Sequence, residues 1–147
     1  MSKLCPKKCN LCGGYVVFIN NSKVYGKKQN SGKMYICTKC GASVGTHKSN
    51  RRIALGILAN EEMRDLRVKC HSILDKRLRF FPKIDRNKER KRMYYELAEK
   101  LEIDVKDCHF AHFDLETLKR AYEIMKEELS KEKKDRKNKK EEQKNGL

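Results

Sequence analysis

Two Cys-x-x-Cys-Gly turns constrain this chain more than any other feature of its sequence. They read Cys9-Asn-Leu-Cys12-Gly13 and Cys37-Thr-Lys-Cys40-Gly41. A tight turn lets two thiolates point at one ion, and a glycine after the second cysteine permits the positive φ that such a turn tends to need. We therefore predict that one structural zinc ion is bound by Cys9, Cys12, Cys37 and Cys40.

Other uses of these cysteines fit the sequence less well. A redox Cys-x-x-Cys site would need a surrounding βαβ pattern, which the sequence does not show. The N-terminus has no apolar signal region and no apolar run nears the roughly 20 residues of a membrane span, so we expect a cytoplasmic protein with metal-bound rather than disulfide-bonded cysteines. Cys5 could replace one of these ligands or be free, and because no glycine follows Cys5-x-x-x-Cys9 it is interpreted as a bystander. His47 could reach the metal, but four thiolates already fill a tetrahedron, which argues against Lewis-acid catalysis.

The residues between the two cysteine pairs predict a small antiparallel sheet. Tyr15–Ile19 and Met34–Ile36 are rich in β-branched and aromatic residues, and turn-forming residues follow at Asn20–Ser22 and Gln29–Gly32. Residues 1–47 are therefore predicted to form a zinc-ribbon β-module.

Three helical patterns follow the ribbon and predict a small helical domain over residues 48–130. Asn60, Asp85 and Asp114 are suited to cap helices that end near Phe81, Glu102 and Ser130. Apolar residues at helical spacing form a stripe on each helix. The stripes are Leu66, Cys70, Ile73 and Leu74; Met93, Leu97, Ala98 and Leu101; and Leu115, Leu118, Tyr122, Met125 and Leu129.

The predicted fold class is α+β, with a zinc ribbon, a helical domain and a charged tail. Residues 131–147 are rich in Lys and Glu without apolar periodicity, so we predict a frayed helix end or a disordered tail there. The basic residues of the first helix fall largely off its apolar stripe; they are Arg64, Arg67, Lys76, Arg77 and Arg79.

Several residues of the helical domain could carry chemistry. Cys70 is interpreted as a small core residue. His71 and Asp75 could orient one another as acid and base at i and i+4, although no nucleophile accompanies them. Cys108, His109 and His112 could bind a second metal, or could belong to a turn that buries Phe110 and Phe113.

The charge of the chain is large and unevenly distributed. The formal net charge is +16, and residues 1–47 contain eight Lys and no acidic residue. A basic field of this kind attracts polyanions, nucleic acid first among them, although it can also serve solubility alone. The predicted phosphate contacts are Lys39, Lys48, Arg51, Arg52, Arg64 and Arg67. The basic segment Arg86–Arg92, followed by Tyr94 and Tyr95, is either a second phosphate-binding region or a solvated helix start.

The order of motifs resembles a family of small phage and prophage zinc-finger-containing proteins. The resemblance rests on Cys-x-x-Cys-Gly-Gly, Val24-Tyr25-Gly26 and Tyr35-Ile36-Cys37-x-x-Cys40-Gly41, and extends through Leu55-Gly56 and Phe113-Asp114 to about Ile124. The chain departs from the family pattern at Cys5-Pro6 and in its long charged tail. The resemblance implies bound zinc and a viral origin, and it implies no activity.

Three functions are compatible with these observations. The first is nucleic-acid binding through the basic surface, with zinc in a structural role. The sequence does not distinguish DNA from RNA as the ligand. The second is an adaptor or inhibitor that binds a host protein such as a polymerase, nuclease or defence factor. The third, a nuclease, ranks last because the sequence shows neither paired carboxylates nor an open metal site.

Overall fold

The computed structural model describes residues 5–21 and 32–145 of the chain. The predicted turn residues Ser22 and 29–31, and the Val24-Tyr25-Gly26 motif, lie outside the described residues. Contacts divide the chain into two compact units. The first unit contains the residues up to Asp65 together with Ala111–Asp114, and the second contains Leu66–Phe110 and the residues from Leu115 onward.

The first unit is built around a three-stranded antiparallel sheet in the order β1-β2-β3. The strands are β1 (Val16–Asn20), β2 (Lys33–Cys37) and β3 (Ser43–Gly45). The pairing register places Val16 opposite Cys37 and Asn20 opposite Lys33. The β-branched and aromatic residues of the sequence thus form the predicted sheet, in which Met34, Tyr35 and Val44 are buried.

The segment after His47 runs beside β3 and completes the ribbon. Ser43 and Ala59 exchange backbone hydrogen bonds of 3.0 and 2.9 Å, and the Leu55 N–H donates to the Gly45 carbonyl at 2.9 Å. Ala54 and Leu58 join the ribbon core, which also contains Cys9, Tyr35, Cys37, Ala42 and Val44. Residues 48–65 thus belong to the same unit as the sheet, and Ala54 and Leu58 are the residues of this segment that enter its core.

Three long helices follow: α1 (Glu61–Leu78), α2 (Arg86–Leu101) and α3 (Leu115–Asn145). Short 3-10 turns occupy Lys83–Asp85, Val105–Asp107 and Phe110–His112. An antiparallel sheet followed by helices confirms the predicted α+β class. Within the second unit, α2 and α3 contact one another, and the Lys100 ammonium hydrogen-bonds Glu128 across this hairpin.

The predicted helix caps have different outcomes. Asn60 accepts a hydrogen bond from the Met63 N–H at 2.9 Å, so it caps α1 as expected. Asp85 precedes α2, but its side chain makes no capping hydrogen bond. The backbone of Asp85 is already helical at φ −93° and ψ −10°, whereas a capping side chain normally requires an extended backbone. Helix α3 begins at Leu115, directly after Asp114.

The apolar stripes of the helices are buried largely as predicted. In α2, Met93, Leu97, Ala98 and Leu101 are all buried. In α1, Cys70, Ile73 and Leu74 are buried and Leu66 is half-buried, and in α3 Leu118, Met125 and Leu129 are buried. Phe110 and Phe113 are buried as well.

Arg77 and the C-terminal segment differ from the sequence-based expectation for one shared reason. The Arg77 side chain is buried, and its Nε and Nη2 donate to Oε1 of Glu132 at 3.0 and 2.8 Å. Arg136 also lies over the Phe80 ring, 4.2 Å from its centroid. Helix α3 therefore continues to Asn145 instead of ending near Ser130, because these contacts hold it to residues at the end of α1. The contacts are polar, so they leave no apolar periodicity in the sequence.

Candidate metal centre

The four predicted ligands come together at one end of the sheet. Cys9 and Cys12 lie in the turn before β1, Cys37 is the last residue of β2, and Cys40 lies in the turn before β3. The pairing of Val16 with Cys37 brings the first turn beside the second. The sheet register therefore assembles a site from two cysteine pairs whose contacting members, Cys12 with Cys37 and Cys9 with Cys40, are 25 and 31 positions apart.

The sulfur positions fit a tetrahedral zinc ion. The Sγ atoms of Cys12 and Cys37 are 3.4 Å apart, those of Cys9 and Cys40 are 3.6 Å apart, and all four lie within 4.8 Å of one another. Zn–S bonds of about 2.3 Å place tetrahedral ligand sulfurs about 3.8 Å apart. A disulfide would require about 2.05 Å, so the spacing matches metal coordination and not a covalent bond.

The two turns have the same backbone hydrogen bonds. The Gly13 N–H donates to the Cys9 carbonyl at 2.9 Å, and the Gly41 N–H donates to the Cys37 carbonyl at 3.1 Å. The N–H groups of Cys9 and Cys37 close the turns at 2.8 Å each, on the carbonyls five residues further on. Gly13 and Gly41 have φ of 76° and 81°, the left-handed region predicted for the glycine after each second cysteine.

Backbone amides surround the sulfurs. The N–H groups of Leu11, Gly14 and Lys39 donate to the sulfurs of Cys9, Cys12 and Cys37, each at 3.3 Å. Such donors stabilise thiolates, because they direct partial positive charge at the sulfur without adding an ionised group. The turns thus hold the ligand sulfurs in position and favour their deprotonated form.

In the metal-free cluster the pKa of one thiol is lowered and that of another is raised. The Cys40 and Lys39 amides, together with hydrogen bonds from the Cys12 and Cys40 thiols, lower the pKa of Cys37 to about 6 against the opposing effect of burial. The Ala42 amide lowers the pKa of Cys40, but burial and the three neighbouring cysteines outweigh it and raise that pKa to about 12. A divalent ion supplies the positive charge that the remaining thiols need to ionise, and its binding releases their protons.

Gly14 is required by close packing within the site. A Cβ at this position would lie 2.7 Å from the Lys39 Cβ, 3.0 Å from the Cys37 Sγ and 3.2 Å from the Cys12 Sγ. The corresponding position in the second turn is Ala42, which is buried without such a restriction. The first turn therefore needs its second glycine because the second turn packs directly against it.

Cys5 and His47 lie outside the four-cysteine group. The Cys5 thiol is exposed and donates to the Arg52 carbonyl at 3.4 Å, and the His47 N–H donates to the Ile53 carbonyl at 3.0 Å. Among the described residues, the four cysteines are the only group of His, Cys, Asp and Glu side chains arranged for a metal. Cys108, His109 and His112, the alternative metal site, therefore do not form such a group in the described structure.

The six predicted phosphate-contacting residues are distributed over both units. Lys39, Lys48, Arg52 and Arg64 are exposed in the first unit, and Arg51 is half-buried there. Arg64 donates to the buried Ser43 hydroxyl at 2.8 Å, and Arg67 belongs to the second unit. Their role in nucleic-acid binding remains a prediction.

The second unit contains the other candidate residues. Cys70 and Cys108 are almost fully buried, and burial raises the pKa of each thiol to about 11, which suits core residues and not nucleophiles. The His71 ring packs edge-on against Phe110 at 4.9 Å between centroids. Burial lowers the pKa of His71, with Asp75 opposing that effect and Arg67 adding to it.

Asn10 is a structural residue that the sequence did not reveal. Its Oδ1 accepts from the Leu58 N–H at 2.9 Å, and its Nδ2 donates to the Leu58 carbonyl at 3.0 Å. These two bonds join the first cysteine turn to the segment beside β3. A polar residue between the paired cysteines is the only sequence signal of this contact, and it does not indicate the partner.

Comparisons with known proteins agree with the metal centre. No helix in the described ranges has a stretch both long and apolar enough to cross a membrane. No curated protein and no solved structure matches the chain. A family model described as a zinc-finger-containing domain matches residues 5–128, which include all four ligands and both cysteine turns. The chain therefore belongs to this family of zinc-finger-containing domains, and its four cysteines form the site of one structural zinc ion.

Proposed function

We propose that the chain is a nucleic-acid-binding module whose ribbon is held in shape by zinc. The charge of the ribbon sequence is the observation that carries this proposal. Residues 1–60 contain nine Lys and two Arg, and the first acidic residue is Glu61. Four thiolates and one zinc ion would subtract two charges from these eleven, which still leaves a strongly cationic surface.

Exposed aromatic side chains accompany this charge. Tyr15 is 78% exposed and Phe18 is 40% exposed, on or next to β1. Lys33 lies over the Phe18 ring at 5.9 Å from the centroid. Proteins that bind single-stranded nucleic acid commonly combine aromatic rings with cations, because bases stack on the rings while phosphates contact the cations.

Zinc has an indirect part in this function. The Tyr15 carbonyl accepts hydrogen bonds from the Thr38 N–H at 2.8 Å and from its hydroxyl at 3.0 Å, within the second cysteine turn. Lys39 is the next residue of that turn. The cysteine turn thus holds the backbone of Tyr15 next to the backbone that carries Lys39, and four thiolates leave the ion no open position for catalysis.

The test is binding of a fluorescein-labelled 20-nucleotide single strand, followed by anisotropy across a salt series. Lys39→Gln/Lys48→Gln is compared with Lys131→Gln/Lys134→Gln, which removes the same charge from exposed positions of α3. The slope of log K against log salt is negative, and its magnitude should be smaller by about 1.4 for the ribbon variant, since each lost contact on a single strand is worth about 0.7. Chelation of zinc should weaken binding as well, because metal binding and folding are coupled. Equal slopes for the two variants would refute a ribbon site.

A protein partner is the second candidate, and exposed aliphatic side chains of the ribbon favour it. Leu11 is 42% exposed and Val17 is 39% exposed, in the same unit as Tyr15 and Phe18. Clustered exposed apolar side chains mark protein interfaces more often than phosphate sites. A pull-down from lysate in nuclease-treated and untreated halves separates the candidates. A protein retained after nuclease treatment by the intact chain, and lost with Val17→Ser, supports an adaptor or inhibitor of that protein, which is a host protein if the chain is phage-encoded.

A further inference from the structure

The second unit contains a basic groove that the ribbon proposal does not use. The groove has a volume of about 520 Å³ and lies between Phe80, just after the end of α1, and the C-terminal half of α3. Its lining includes Phe80, Lys133, Arg136, Lys137, Lys139 and Lys140. All of these cations follow residue 128, where the match to the family ends. The groove is therefore not accounted for by the family assignment.

The groove is held together by contacts to Phe80 and Phe81. The Arg136 guanidinium lies 4.2 Å from the Phe80 ring centroid and 5.8 Å from that of Phe81, and its Nη2 donates to the Phe80 carbonyl at 3.2 Å. Arg86 donates from Nε to the Phe81 carbonyl at 3.2 Å. A guanidinium has five N–H donors, so Arg136 is fixed in place by one of them and stacking while most of its hydrogen-bonding capacity is left for a ligand.

The buried ion pair between Arg77 and Glu132 anchors this part of α3. The Arg77 side chain is only 4% exposed, and both of its bonds end on one carboxylate oxygen. Glu132 directly precedes the first groove lysine, Lys133. The position of the basic residues is thus set by a buried contact, and the groove is a built feature of the second unit.

The cations of α3 form a stripe along one side of the helix. Lys133, Lys137, Lys140 and Lys144 recur every three or four residues, which places them on one face. Asp135 and Glu142 fall about half a turn away from Lys133 at about 100° per residue, and Glu141 lies at the edge of the stripe. Lys133 and Lys140 are separated by about 10 Å along the helix axis, a distance that spans more than one phosphate of a nucleic-acid strand.

We propose that this groove binds the phosphate backbone of nucleic acid, as a second site that does not depend on the ribbon surface. A stripe of lysines beside a fixed arginine contacts phosphates without reading bases, so binding should be independent of sequence. A membrane surface fits less well, because residues 131–145 contain no apolar side chain to insert among lipids. An acidic protein also fits less well, because it offers negative charge but no regular row of phosphates along which a stripe of lysines can bind.

The proposal is tested with the full chain, in its zinc-loaded form, and three pairwise substitutions. Lys137→Gln/Lys140→Gln removes two groove cations. Lys131→Gln/Lys134→Gln removes the same charge from the same helix outside the stripe. Lys39→Gln/Lys48→Gln reports on the ribbon surface separately. All six side chains are exposed, so each protein should keep the helical circular dichroism signal of the parent.

The labelled 20-nucleotide strand is titrated across the salt series with each protein. The groove variant should reduce the magnitude of the negative slope of log K against log salt by about 1.4, and its off-stripe control should leave the slope nearly unchanged. Equal changes in groove variant and control would overturn the proposal. A slope change in the ribbon variant alone would support the ribbon site and overturn the groove, and a change in the groove variant alone would do the reverse.

Two further probes distinguish the class of partner. Each protein is also titrated against phosphatidylserine vesicles and against polyglutamate at the same ionic strengths. The groove substitutions should reduce oligonucleotide binding more than binding to either of these probes. If vesicle or polyglutamate binding falls more strongly than oligonucleotide binding, the groove is a membrane or protein site and the nucleic-acid assignment is overturned.

Discussion

Gly14→Ala is expected to weaken zinc binding although it changes no ligand. The new Cβ would stand 2.7 Å from the Lys39 Cβ and 3.0 Å from the Cys37 Sγ. Carbon atoms in favourable contact are about 3.5–4.0 Å apart, so the two cysteine turns must separate by several tenths of an ångström. Overpacking of this kind costs about 1–3 kcal/mol. If the cost falls on the metal-bound form, zinc affinity drops about 5- to 140-fold.

Two other glycines separate a steric clash from backbone strain. At Gly41 a Cβ would meet nothing within 4 Å, but φ is 81°, so Gly41→Ala tests strain alone at about 1–2 kcal/mol. At Gly45 a Cβ would touch the Leu55 Cδ1 at an ordinary 3.5 Å without positive φ, so Gly45→Ala should be nearly neutral.

Competition against a chromophoric chelator at neutral pH measures the zinc affinity of each protein. In a double-mutant cycle, Lys39→Gly should recover part of the loss caused by Gly14→Ala, because it removes the nearest carbon atom. The reasoning is refuted if Gly14→Ala binds zinc as tightly as Gly45→Ala, or if Lys39→Gly and Gly14→Ala act additively.

Three further changes test contacts that do not involve the zinc ligands themselves. Asn10→Ala leaves the buried backbone groups of Leu58 without their side-chain partner and should lower the free energy of unfolding by about 1–3 kcal/mol, measured by urea denaturation of the zinc-loaded protein. Glu132→Gln weakens the charge-assisted hydrogen bonds of the buried Arg77 and should cost about 1.5–3 kcal/mol, with loss of helical signal at lower urea; an unchanged midpoint would contradict the ion pair. Glu128→Gln should destabilise the protein at neutral pH but not in acid. The hydrogen bond across the α2–α3 hairpin lowers the pKa of Glu128, so its stabilisation is present above the unfolded value of about 4.3 and is lost as pH falls through the folded pKa. A difference between Glu128→Gln and the parent that persists at pH 2 would contradict that assignment.

Features set by local pattern were predictable from the sequence. The spacing of the four cysteines and the glycine after each pair indicated the metal centre, since both follow from the geometry of a tight turn around a sulfur. The apolar stripe of α2 was also predictable, because burial on one face leaves a helical period in the sequence.

Features set by contacts between distant polar residues were not predictable in the same way. Arg77 is buried because Glu132 lies opposite, and neither residue contributes to an apolar period. The continuation of α3 depends on that pair and on Arg136 over Phe80, so composition alone favoured a frayed or disordered tail. The path of residues 53–59 beside β3 was also not predictable. It is set by three backbone hydrogen bonds and one buried leucine, which leave little trace in the sequence.

The contact between Gly56 and Ala111 affects how the first unit can be assembled during synthesis. The Ile57 N–H donates to the Ala111 carbonyl at 2.9 Å, and a Cβ on Gly56 would lie 2.0 Å from that same oxygen. The cysteine turns, the three strands and the Asn10 contact are complete once residue 59 has left the ribosome. The segment Ala111–Asp114 follows only after α1 and α2 have been synthesised, and closing so long a loop adds an entropic cost that zinc does not offset. Zinc capture is thus an early, local event, whereas the first unit is completed only when Ala111–Asp114 has been synthesised.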